Sequence, residues 1–244
     1  MNFRVAIGLV CLAASLPFTA CAQQSSKPMT KTEIEAIVKQ YIMEHPEVLV
    51  DSVRQMQARE QAKQEQKNKD ALSVKQKDIY EDPTSPASKT ASAGQVTMVE
   101  FFDYRCGYCK KVYPTLQKLM AENDVRIVFK ELPILGPDSV VATRAALAAA
   151  KQGAYSKFHN ALMTSPTPPN ADRIHQIAKE LGLDADKLKK DMDSPEVEAV
   201  INKNRELAQS LGVEATPTFV IGKELIPGAL DEAGFKQYIE KAKK

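Results

Sequence analysis

The stretch Phe101-Phe102-Asp103-Tyr104-Arg105-Cys106-Gly107-Tyr108-Cys109-Lys110 constrains this chain more than any other. An apolar run rich in β-formers leads directly into a Cys-Gly-Tyr-Cys pair, and an amphipathic helical pattern begins at that pair. A strand that runs into a helix through two cysteines brings the thiols to a helix N-terminus. There, free backbone N–H groups and the positive end of the helix dipole stabilise a thiolate. The first cysteine becomes the better nucleophile.

A CxxC pair admits other readings. Zinc takes four ligands, yet no second CxxC or His pair stands nearby, and His45, His159 and His175 fall in different predicted elements. Covalent haem requires His after the second cysteine, where this chain has Lys110. A structural disulfide across two residues closes too small a loop to restrict the unfolded chain much. A redox pair at a strand-to-helix junction remains. The other two of the four cysteines, Cys11 and Cys21, sit in the leader.

That leader, residues 1–22, has Arg4, then about a dozen apolar residues from Val5, then small residues around Ala20-Cys21-Ala22. It reads as a secretory signal peptide, and its apolar run is short for a membrane span. Cleavage after Ala22 is one reading. Lipidation at Cys21, after a lipobox-like Phe18-Thr19-Ala20, is the alternative. Either way the compartment is oxidising, where a dithiol can cycle through a disulfide. A net charge of +2, from 33 basic and 31 acidic side chains, points to no nucleic-acid partner.

Ile34, Ile37, Val38, Tyr41 and Ile42 have helical spacing, with Thr30 and Glu33 placed as a capping box. A second helix is expected after His45-Pro46, with Val48, Leu49, Val53 and Met56, followed by a polar run from Gln57 to Asp70. We read 30–56 as a helical oligomerisation module forming a homodimer or homotrimer, with folding back onto the main domain as the alternative. Residues 57–94 are expected to be a polar stalk, helical or flexible, and a Pro/Ser/Thr/Ala-rich linker.

The catalytic domain is expected over 95–244. Val96 to Phe102 and Val125 to Phe129 have the composition of buried central strands and, with the helix between them, form a right-handed βαβ unit. The pattern over 138–211 is a helical insert. Thr218 to Ile221, Glu224 to Ile226 and Asp231 to Lys241 complete a hairpin and a final helix. The fold class is α/β with a mixed sheet.

From about Gly94 to Lys244 the chain resembles the thioredoxin superfamily and, within it, the DsbA-like periplasmic thiol-disulfide oxidoreductases. The resemblance rests on Glu100 to Cys109, on Phe129-Lys130-Glu131-Leu132-Pro133, on the helical insert and on Ala215-Thr216-Pro217-Thr218-Phe219. It implies a thioredoxin fold with a helical insert, attack by Cys106, resolution by Cys109, and a cis Pro217 against the pair. Gly107 and Tyr108 would tune the redox potential, and Thr216 with Pro217 would bind substrate as an added strand. Glu100 and Lys130 would approach beneath the cysteines as a buried ion pair that relays protons.

Thr216 before the proline and the N-terminal module resemble the oligomeric isomerase branch and the ScsC-like proteins. The expected function is therefore a homo-oligomeric periplasmic oxidoreductase and disulfide isomerase without a cofactor. It would act on exported proteins with cysteines and on a membrane redox partner similar to DsbB or DsbD. The competing class is an exported scaffold or copper-handling lipoprotein whose CxxC binds soft metal.

Overall fold

A computed structural model describes residues 28–89, 95–122 and 125–243. The leader with Cys11 and Cys21, and Gly94, lie outside the described residues. The chain divides into two compact units, 1–56 and 57–244, which are described separately.

In the first unit, α1 (Lys31–Glu44) starts at the expected capping box. The Thr30 hydroxyl accepts from the Glu33 N–H, and the Glu33 carboxylate accepts from the Thr30 N–H at 2.8 Å. Ile34, Ile37, Val38 and Tyr41 line this helix and are 48–56 % exposed. α2 (Glu47–Val74) then runs unbroken for 28 residues across the expected module boundary, so the polar stretch after Met56 is helical.

The second unit is built on a four-stranded sheet of β1 (Val96–Phe102), β2 (Val125–Glu131), β3 (Thr218–Ile221) and β4 (Glu224–Pro227) in the order β2-β1-β3-β4. β1 and β2 are parallel, joined across α4 (Gly107–Ala121), and the other pairings are antiparallel. Met98, Phe102, Ile127, Phe129 and Phe219 pack on one face with Leu116 and Leu119 of α4 and with Phe235 and Ile239 of the final helix. Val99, Phe101, Val128 and Val220 pack on the other with Leu207 and Leu211. The expected insert is five helices over 137–211, from α5 (Pro137–Ala150) through α6 (Tyr155–Met163) to α9 (Pro195–Leu211).

The stalk-and-linker expectation for 57–94 fails over its second half. Leu72 at the end of α2 and Ile79 of α3 (Gln76–Tyr80) are buried in the core of the second face. Beyond α3 the chain pairs with the outer edge of β2. The Phe129 N–H donates to Pro86 O at 2.9 Å, the Ser88 N–H donates to Ile127 O at 2.8 Å, and Ala87 bridges to Val128. Single apolar residues in a polar run carry no periodic signal, yet each fills a pocket over the sheet. The second unit therefore begins well before Gln95.

Candidate active site

Cys106 is the N-cap of α4 and sits where β1 delivers the chain to the helix. Its sulfur accepts the Cys109 N–H at 3.3 Å, an N-cap bond made by a sulfur instead of an oxygen. When protonated, its thiol donates to Thr216 O at 3.2 Å, a bond that ionisation gives up, and the Thr216-Pro217 bond is cis, as the resemblance implies. The site thus joins two segments 110 residues apart.

The two thiols have opposite electrostatics. The Cys109 thiol, then Thr216 and the N–H groups of Cys109 and Tyr108, outweigh burial and draw the Cys106 pKa down from 9.0 to about 6. Cys109, buried a turn inside the helix, is pushed far above the ordinary thiol range by burial, by its bond to Cys106 and by the charge of Glu100. At neutral pH Cys106 is a thiolate and Cys109 a thiol. That is the arrangement required for one sulfur to attack and the other to wait.

Glu100 is fully buried, and both its carboxylate oxygens lack a hydrogen-bond partner among the described residues. In register it stands between Phe129 of β2 and Phe219 of β3, on the sheet face that α4 covers. Burial, with a smaller contribution from Cys106, lifts its pKa from 4.5 to about 8. It is a protonated acid at neutral pH within the electrostatic reach of both sulfurs.

The expected Glu100–Lys130 pair does not form. Lys130 stands opposite Phe101, not Glu100, and successive strand residues face opposite sides of a sheet. Its ammonium is fully buried on the other face, bonded to Asp82 Oδ2 at 3.0 Å, Ser85 Oγ at 2.7 Å and Asp78 O at 2.9 Å. Lys203 reaches the other oxygen of Asp82 at 2.9 Å. Lys130 therefore pins the segment after α3 to the sheet and leaves the Glu100 carboxyl without a counter-charge on its own face.

Gly107 and Tyr108 occupy the first turn of α4, with Tyr108 67 % exposed. Beside them lies a groove of about 530 Å³ lined by Tyr108, Lys111, Val112, Thr216, Pro217 and Leu230. Pro217, the proline that follows the Thr216 carbonyl bonded to the Cys106 thiol, is one of its walls.

Two features escaped the sequence reading. Asp103 is buried, accepts the Arg105 N–H at 2.7 Å, and accepts the N–H groups of Ile134 and Leu135 at 2.9 and 3.0 Å. Its place three residues before Cys106 was the available signal. Glu131 is buried at the end of β2, accepts from the Tyr155 hydroxyl of α6, and is raised to about 7 by burial. Near it His159, also buried, receives or gives the Tyr104 hydrogen bond at 3.0 Å and is held neutral by burial, down to about 3. Nothing in the local pattern distinguishes these two from solvated helix and strand ends.

Residues 97–240 match the family described as DSBA-like thioredoxin domain, and residues 31–63 match the Copper resistance protein ScsC N-terminal domain. Among solved structures, a thioredoxin-like oxidoreductase from Silicibacter pomeroyi DSS-3 is 41 % identical, covers 68 % of this chain and 96 % of its own, and has a TM-score of 0.64. Proteus mirabilis ScsC in a transitional conformation is 28 % identical, covers 87 % of this chain and 96 % of its own, and has a TM-score of 0.65. A curated relative, the Na(+)/H(+) antiporter NhaA of Herminiimonas arsenicoxydans, is 31 % identical over 152 residues, 62 % of this chain. The matched region spans 24 % of that antiporter's length.

Proposed function

We propose, from the premise that this chain belongs to the DSBA-like thioredoxin domain family, that it forms and reshuffles disulfides in exported proteins of the periplasm. The observation that carries this reading is the Cys106 sulfur, held at a helix N-terminus between the Cys109 N–H and the Thr216 carbonyl.

In the oxidising direction, Cys106 and Cys109 begin as a disulfide. A substrate thiolate attacks the Cys106 sulfur, forms a mixed disulfide and expels Cys109 as a thiolate. Cys109 is a poor leaving group when left charged in its buried position, and Glu100, protonated at neutral pH, is the acid in its surroundings that can neutralise it. A second substrate thiolate then attacks the substrate sulfur of the mixed disulfide. The substrate leaves as a disulfide, having lost two electrons, and the protein holds two thiols. Cys106 leaves readily because its thiolate is stable.

In the isomerising direction, the Cys106 thiolate attacks a wrong disulfide and frees one substrate thiolate; a different substrate thiolate then attacks the substrate sulfur of the mixed species, which forms the new disulfide and returns Cys106 as a thiolate, whereas attack by Cys109 leaves the substrate reduced and the protein oxidised. Thr216 and Pro217 are the substrate-facing backbone, and Gly107 and Tyr108 shape the surroundings of the sulfur. The apolar stripe of α1 supports assembly of a homodimer or homotrimer through 30–56, which places several sulfurs around one misfolded chain. Re-oxidation or re-reduction falls to a membrane redox partner.

Reactivation of scrambled ribonuclease by the full chain, compared with Cys106→Ser, tests the reading. Recovery of ribonuclease activity only with Cys106 present is expected. Equal recovery with both proteins would refute catalysis.

A further inference from the structure

Between the end of β1 and the start of α4 the chain makes a four-residue turn, Asp103-Tyr104-Arg105-Cys106, closed by the Cys106 N–H donating to the Asp103 carbonyl at 3.0 Å. Aspartate suits the first place of such a turn because its side chain can accept the N–H two residues on. Asp103 does so through Oδ1, which accepts the Arg105 N–H at 2.7 Å. Its other oxygen, Oδ2, turns away and accepts the N–H groups of Ile134 and Leu135, 31 and 32 residues later, at 2.9 and 3.0 Å. Arg105 adds a second tie to the same loop, its Nη1 donating to the Leu135 carbonyl at 2.9 Å.

Asp103 is fully buried, and burying a carboxylate is costly unless hydrogen bonds replace its water. Three backbone N–H groups do so here. The turn they hold delivers Cys106 to the helix N-cap, where its sulfur has to line up with the Cys109 N–H, a bond already 3.3 Å long. Asp103 also acts on the second sulfur. Burial sets the Cys109 pKa high, and a hydrogen bond from the Asp103 N–H works against that rise. Backbone N–H, backbone carbonyl and carboxylate of this one residue are thus all committed to the two cysteines, to their turn or to the loop that braces it.

We propose that Asp103 is a positioning residue for thiol-disulfide exchange: by clamping the turn to the loop at 134–135, its carboxylate holds the Cys106 sulfur over the first N–H groups of α4. The inference rests on the oxidoreductase reading above.

Charge and position predict opposite signs. A carboxylate this near a thiolate opposes ionisation, so an Asp103 that acted only by its charge would, once neutralised, let Cys106 ionise at lower pH. A positioning Asp103 predicts the reverse. Asp103→Asn keeps the shape but replaces one acceptor oxygen by a donor that faces an N–H. In the reduced full-length protein it should raise the midpoint of Cys106 alkylation by iodoacetamide, read by peptide mass, by about one pH unit, a tenfold loss of thiolate over thiol. At pH 7 the thiolate share then falls from about nine-tenths to about one-half. The equilibrium in which two glutathione thiols reduce the protein disulfide and leave as glutathione disulfide should therefore shift about fivefold toward the oxidised protein. Asp103→Ser, which keeps a hydroxyl for the Arg105 N–H but has no second oxygen for Ile134 and Leu135, should do the same. A role in stability alone would leave both readouts where they were. The proposal is overturned by a midpoint within about 0.3 pH unit of the unsubstituted protein's, or below it. Should Asp103→Asn not fold, the same criterion applies to Asp103→Ser. An unsubstituted protein that reaches no redox equilibrium with glutathione would instead overturn the oxidoreductase reading.

Discussion

Glu100→Gln is the sharpest probe of the site, because it keeps the shape of a fully buried side chain while removing its proton. The folded protein holds that proton up to about pH 8, whereas the ordinary carboxyl releases it at 4.5. Its contribution to stability is therefore complete below about pH 4.5 and is lost as the pH rises through 8. The interval from 4.5 to about 8, at about 1.4 kcal/mol per pH unit, sets a ceiling of about 5 kcal/mol on the loss. The glutamine replaces a protonated carboxyl that is itself buried without a partner, so at low pH the two side chains cost about the same. The variant should thus be close to the parent in stability at pH 5 and the stronger protein at pH 9. The chain has no tryptophan, so urea unfolding of the reduced protein is followed by circular dichroism at pH 5, 7 and 9. Glu131 titrates in both proteins and largely cancels from the difference. A stability difference that changes by less than about 1 kcal/mol from pH 5 to pH 9 would refute the reasoning.

Alkylation of the reduced protein by iodoacetamide should rise with pH along a curve centred at about 6, the value set by the hydrogen bonds at Cys106; a midpoint near 9 would mean that the thiolate is not stabilised. Asp82→Ala should cost about 3–5 kcal/mol in urea unfolding, since it leaves the Lys130 ammonium buried without a counter-charge. A loss under about 1 kcal/mol would show that this pair does not hold the segment to the sheet. Ile37→Asp, on the exposed stripe of α1, should give a monomer by light scattering while leaving the alkylation midpoint where it was. A parent chain that is already monomeric at all concentrations would remove the assembly reading.

The dithiol at the strand-to-helix junction and the order of elements were legible because each rests on local chemistry, a run of β-formers, a helical period, a cysteine spacing, whereas the facing Pro217 was implied only by the family resemblance. What escaped depended on register. Glu100 and Lys130 are both polar residues in otherwise apolar strands, and the chain alone does not say which face each takes. Pairing Glu100 with Phe129 puts Lys130 one step along and on the other side. Its true partner, Asp82, is 48 residues earlier in a stretch whose composition reads as linker. Asp103 escaped for a related reason: its charge is satisfied by backbone N–H groups of a distant loop, which carry no side-chain signature.

The short pairing of Pro86 to Ser88 along β2 also closes part of an exposed sheet edge. β2 is an outer strand, and a bare outer strand offers a row of backbone groups on which any extended polypeptide can grow a new strand. Here the Phe129 N–H and the Ile127 carbonyl are already occupied by the protein's own chain, and a proline stands within the covering segment. On the opposite rim, β4 ends in Pro227, which offers no N–H. Both rims are thereby blunted against strand addition by another chain: the one at β2 by the protein's own segment, the one at β4 by a proline.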